Sequence, residues 1–117
     1  MISIQILFFI LIVHYVADFI LQSSWMAENK STDMDALIDH TLTYTTAWFL
    51  PAFLLLGANG FIFLAITFVC HTMTDYYTSR LTSKLFGKKD YHNGFIVVGA
   101  DQLLHYFQLV LTYYLLK

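Results

Sequence analysis

The chain has 117 residues, of which 58% are hydrophobic and only 12% charged, with a formal net charge of −2. Its mean hydropathy is +0.62, and ordinary soluble domains carry about twice as much charge, so lipid is the expected solvent. The charge balance excludes a nucleic-acid partner, and a lone cysteine, Cys70, excludes a disulfide framework or a thiolate zinc site.

A hydrocarbon core about 30 Å thick needs roughly 20 mostly apolar residues in a helix. In chain order the candidate spans are Met1 to Leu21, Ala36 to Leu56, Phe61 to Tyr77 (extending to Arg80) and Phe95 to Leu116. The first lacks a basic leading region and a cleavage site and carries His14 and Asp18, so a retained helix is expected rather than a signal peptide. Asp33, Asp35 and Asp39 complement the dipole at the start of the second. Pro51 should kink that helix without ending it. The run Gly57-Ala58-Asn59-Gly60 then turns the chain. The expected architecture is an all-α, four-transmembrane-helix bundle formed by one domain over residues 1–117.

Orientation follows from the cations. Lys30 lies in the first connection and Arg80, Lys84, Lys88 and Lys89 in the third. The positive-inside rule places both connections in the cytoplasm and both termini on the non-cytoplasmic side. A multi-pass protein of the cell inner membrane is expected.

Ionisable groups in a membrane helix cost about 2.5–3.5 kcal/mol each on insertion scales. The spans nevertheless contain His14, Asp18, His40, His71, Asp75, Asp101 and His105. Three helices carry a His/Asp pair spaced i, i+4, which sets both side chains on one face, the spacing by which a helix offers two ligands to one metal. Counting about 1.5 Å per residue from the cytoplasmic ends places all seven roughly 5–15 Å deep, in one layer. Each pair alone is more often a packing bridge between helices. Their convergence from four helices points to a metal or proton site. Gln22, Tyr44, Thr67, Ser79 and Gln108 lie on the same faces, three or four residues away, and are candidates to orient the ligands. His92 reads as a surface residue, Cys70 as packing, and Asp39 faces away from its neighbour His40.

Three carboxylates and four neutral imidazoles suit one or two divalent ions, zinc or manganese first, since a near-neutral cluster is what a low-dielectric setting tolerates. The run His14-Tyr15-Val16-Ala17-Asp18-Phe19-Ile20-Leu21-Gln22 with Trp25 and Lys30, then His40, His71-x-x-x-Asp75 and Asp101-Gln102-x-x-His105, resembles a family of small bacterial and phage membrane proteins known only as a domain of unknown function. The resemblance covers nearly the whole chain and implies an integral membrane protein, but no activity. More distantly, the His/Asp-rich helices look like membrane-embedded metal-dependent hydrolases.

The expected function is therefore a metal-dependent hydrolase acting on a lipid or phosphoester reached from the cytoplasmic leaflet, with Lys30, Arg80 and Lys84 steering an anionic substrate. Two alternatives stand beside it. One is a structural or regulatory protein whose metal or ion pairs lock the bundle, partnered by a membrane protein or by itself. The other is a metal or proton transporter, against which the outer half of the spans offers no continuous polar path. No nucleophilic serine or cysteine with a partnered base is apparent, so hydrolysis would rely on metal-bound water.

Overall fold

The computed structural model describes residues 1–117 and is helical almost throughout, without strands. Its helices are α1 (Ile4–Tyr15), α2 (Ser24–Asn29), α3 (Met34–Ala47), α4 (Phe49–Leu56), α5 (Gly60–Gly87) and α6 (Tyr91–Leu116). A π-helical turn, Val16–Ile20, prolongs α1, and a 3-10 turn, Gly57–Asn59, joins α4 to α5.

Besides α6, which begins at Tyr91 instead of Phe95, the elements differ from the expected spans in three places. The first connection is not a plain loop: it holds α2, whose N-terminus is capped where Ser23 Oγ accepts from the Met26 amide at 3.2 Å. Lys30 is the C-cap of this short helix. The second span is divided at Trp48 into α3 and α4. Pro51 has no amide to close a bond onto the Ala47 carbonyl, and it sits in the first turn of α4, where none is needed. Thr45 and Thr46 bond back to the carbonyls of Thr41 and Leu42, a pattern that bends helices. The third helix runs on to Gly87, well past Arg80.

Gly57 adopts φ +56° and reverses the chain. At Gly60 a Cβ would lie 3.1 Å from the Ala52 carbonyl carbon, so the missing side chain lets α4 fold back closely onto α5. A second reversal follows α5. Asp90 caps α6 by accepting from the Asn93 amide at 3.3 Å, and Gly94 is buried beneath the Phe86 ring. The α5–α6 hairpin is the longest packed pair, with α1 and α3 closing the bundle around it.

Two apolar stretches are long enough to cross a bilayer: Phe49–Gly87, which folds back at its 3-10 turn, and Tyr91–Leu116. Ile4–Ile20 is apolar but shorter. The outward faces carry Phe8, Ile12, Leu54, Phe61, Leu103 and Phe107, all more than half exposed. The interior instead buries His14, Asp18, His40, His71, Asp75 and His105. A water-soluble bundle has the reverse distribution. One end of the interior is apolar, where Trp48 packs on Phe63 with ring centroids 5.2 Å apart.

Candidate metal centre

Four side chains from three elements converge at the centre of the polar layer. Asp18 comes from the π turn, His40 from α3, and His71 and Asp75 from successive turns of α5. Each is at most 4% exposed. His40 Nε2 lies 3.0 Å from Asp18 Oδ1 and 3.1 Å from Asp75 Oδ2. His71 Nε2 lies 3.4 Å from the same Asp18 oxygen, 3.5 Å from the Asp75 oxygen and 3.2 Å from His40 Nε2. These are five of the six edges of a tetrahedron. Ligands about 2.0–2.1 Å from a tetrahedral ion stand about 3.3 Å apart, and these five separations are of that size. Asp18 Oδ1 has no hydrogen-bond partner although it is buried against two imidazole nitrogens. A buried, unpartnered carboxylate oxygen beside two imidazole nitrogens fits a metal ligand.

A second group overlaps the first. Ligand atoms of Asp18, Asp101 and His105 lie within 4.8 Å of one another. His105 Nε2 is 3.2 Å from Asp101 Oδ2 and donates to Asp75 Oδ1 at 3.0 Å, while Thr78 Oγ1 donates to Asp101 Oδ1. Gln102 Nε2 donates to both Asp18 Oδ2 and Asp101 Oδ2, at 3.1 Å each. Its carbonyl oxygen must then face His14, which donates from Nε2 at 2.7 Å. That fixes the tautomer of His14, whose bare Nδ1 accepts from the Tyr44 hydroxyl at 2.7 Å. The Tyr44 ring stacks on His71 at 3.8 Å and His71 on His105 at 4.0 Å, so the rings hold one another in place.

Of the seven residues singled out in the sequence, six therefore fall into these two groups, and His14 stands beside them with both ring nitrogens engaged. Three further participants are not among those seven. Lys30, expected to steer an anionic substrate, donates from Nζ to Asp75 Oδ2 at 3.1 Å. In the sequence Gln102 stands only within the Asp101-Gln102-x-x-His105 run and Thr78 only as part of the third span, neither with a role at the site. Among the candidate orienting residues, Tyr44 does touch the cluster. Gln108 and Thr67 bond to each other instead, at 3.2 Å. Arg80 turns away: its guanidinium lies 3.7 Å from the centre of the Tyr76 ring and donates to the Tyr76 carbonyl. His92 and Asp39 are exposed, and Cys70 lines a separate, outward groove with Phe107 and Gln108.

A polar cavity of about 250 Å³ reaches this layer, with Asp18, Asp101 and Gln102 among its lining and Lys30, Thr78 and Ser79 beside them. Gln22 Oε1 and Ser79 Oγ, which also line it, are buried without partners. The charges of the cluster are three carboxylates against one ammonium, an excess of two negative charges when the imidazoles are neutral. One divalent cation cancels it, which is the balance a buried cluster requires. The mixed imidazole and carboxylate donors suit zinc and also admit manganese.

The family described as "Protein of unknown function (DUF3307)" matches residues 6–117, and the chain belongs to it. No curated protein and no solved structure matches the chain.

Proposed function

We propose that this member of the family is a four-span inner-membrane protein built round a divalent metal centre, and that the centre hydrolyses a lipid ester or phosphoester entering from the cytoplasmic side. The apolar exterior and the two long apolar stretches support the membrane setting. The cations Lys30, Arg80, Lys84, Lys88 and Lys89 support the orientation, with both termini on the far side.

The observation that carries the chemistry is the ligand quartet with a polar cavity against one of its members, Asp18. A divalent ion held by Asp18, His40, His71 and Asp75 would supply Lewis acidity and lower the pKa of water. Asp18 is the ligand that lines the cavity, so water and substrate approach past it. Asp101 and His105, 3.2 Å apart and next to that approach, are placed to take up and return a proton. Lys30 faces both the cavity and Asp75 and offers a cation to an anionic headgroup.

A second reading has its own observation. Four protein ligands complete a tetrahedral shell, which is the habit of structural zinc sites, whereas catalytic sites usually keep one position for water. In that reading the metal clamps α1, α3 and α5 together and no reaction follows.

Metal content by mass spectrometry on detergent-purified protein tests both. The wild type should carry metal, and His71→Ala and Asp75→Asn should lose it with helicity retained. Asp101→Asn should keep the metal and lose turnover of a lipid ester and phosphoester panel. A metal-free wild type after chelator-free purification overturns the centre. A metal-loaded wild type that turns over nothing in the panel leaves the clamp.

A further inference from the structure

The Asp18, Asp101 and His105 group has the donor set of a second metal position, but the space among its oxygens is already taken. Gln102 Nε2 points both of its hydrogens into it, one to Asp18 Oδ2 and one to Asp101 Oδ2, at 3.1 Å each. An amide nitrogen placed so offers two partial positive charges where a cation would offer a full one. The amide is unable to turn over, because its oxygen is held by His14 Nε2 at 2.7 Å, and His14 is held in turn by Tyr44.

We infer that Gln102 is the residue that restricts this centre to a single metal ion, acting as a neutral stand-in for a second cation. This rests on the quartet's being a metal site and adds to it the stoichiometry and its cause. Charge leads to the same result. With Lys30 bound to Asp75, one divalent ion neutralises the three carboxylates. A second ion would leave the buried cluster with two positive charges, or one with a bridging hydroxide, in a setting that penalises either. Replacing the amide by a carboxylate reverses both constraints. Gln102→Glu removes the donor hydrogens, adds a ligand oxygen to the Asp18, Asp101 and His105 set, and brings a dinuclear, hydroxide-bridged cluster to neutrality.

The experiment is metal titration of the detergent-solubilised full chain with Mn²⁺, followed by mass spectrometry and electron paramagnetic resonance. Wild type should saturate at one ion per chain under excess metal and give the signal of an isolated ion. Gln102→Glu should bind two and give the signal of an exchange-coupled pair. Two ions in the wild type overturn the inference, and that measurement stands even if Gln102→Glu fails to fold. One ion in both proteins overturns the inference and leaves the quartet intact. No ion in either removes the quartet and the inference together.

Discussion

Replacing Lys30 by methionine should move apo stability and metal affinity in opposite directions. The ammonium stands 3.1 Å from Asp75 Oδ2. At an effective dielectric constant of about 20, unit charges at that separation attract by about 5 kcal/mol. Breaking a buried pair by removing one partner costs about 3–5 kcal/mol. The Lys30 side chain remains 19% exposed, so the lower figure, about 3 kcal/mol, applies to the metal-free protein. The metal-bound state responds the other way. An ion about 2 Å from the Asp75 oxygen lies within about 5 Å of the ammonium, and the repulsion is about 6–7 kcal/mol at the same dielectric constant. If relaxation and water absorb half, Lys30→Met binds zinc about 3 kcal/mol, or about a hundredfold, more tightly. Thermal unfolding in detergent with and without zinc reads the first effect, and competition against a chelator reads the second. Unchanged or weaker zinc binding by Lys30→Met would refute the shared position of Lys30 and the metal on Asp75.

Three further outcomes follow from other contacts. Tyr44→Phe keeps the ring on His71 but leaves His14 Nδ1 without a donor, so it should cost about 1–3 kcal/mol in thermal unfolding with metal content unchanged; loss of the metal would place Tyr44 among the ligands. Gly94→Ala would put a Cβ 2.2 Å from the Phe86 ring, and displacing that ring should cost about 1–3 kcal/mol in the same assay; an unchanged midpoint would mean that the α5–α6 turn is loosely packed. The side-chain amide and the backbone N–H of Asn93 hold the Asp90 carboxyl below its ordinary range. Because the folded value is the lower one, capping is complete above the unfolded pKa of about 3.9 and fades only as the pH falls through the folded one. The Asn93 amide resonance should therefore titrate with a midpoint below that of a free aspartate. A midpoint at or above it would deny the cap.

What could be read from the sequence was whatever depends on helical period. His71 and Asp75, or Asp101 and His105, share a face because the helix repeats every 3.6 residues, and the long apolar segments bring those faces to one depth. Lys30 was expected near the mouth, but its pairing with Asp75 was not legible, because its position depends on α2, six residues whose start is a serine cap within a polar stretch. The role of Gln102, named only within its motif, was illegible for a different reason. It sits one residue from Asp101, about 100° around the helix, so periodicity assigns it to another face, while its long side chain reaches back to Asp101 and across to Asp18. His14 shows the converse: its spacing from Asp18 marks it as a ligand, but Gln102 and Tyr44 take both of its nitrogens. The break at Trp48 was half visible. Pro51 announced a disturbance, and only its place in the first turn of α4 shows that the chain starts a new helix there instead of bending an old one.

The shortness of the first helix bears on the lipid as well as on the protein. From Ile4 to Ile20, at about 1.5 Å per residue, it reaches about 25 Å, some 5 Å less than a typical hydrocarbon slab. Hydrophobic mismatch of that sign draws the surrounding leaflets together. In the four-span arrangement, headgroups and water would dip toward Asp18, which the π turn places near the end of this helix. Bilayer thickness would then set how deeply the cluster is immersed, and lipids of shorter acyl chain would leave it nearer the aqueous phase than longer ones do.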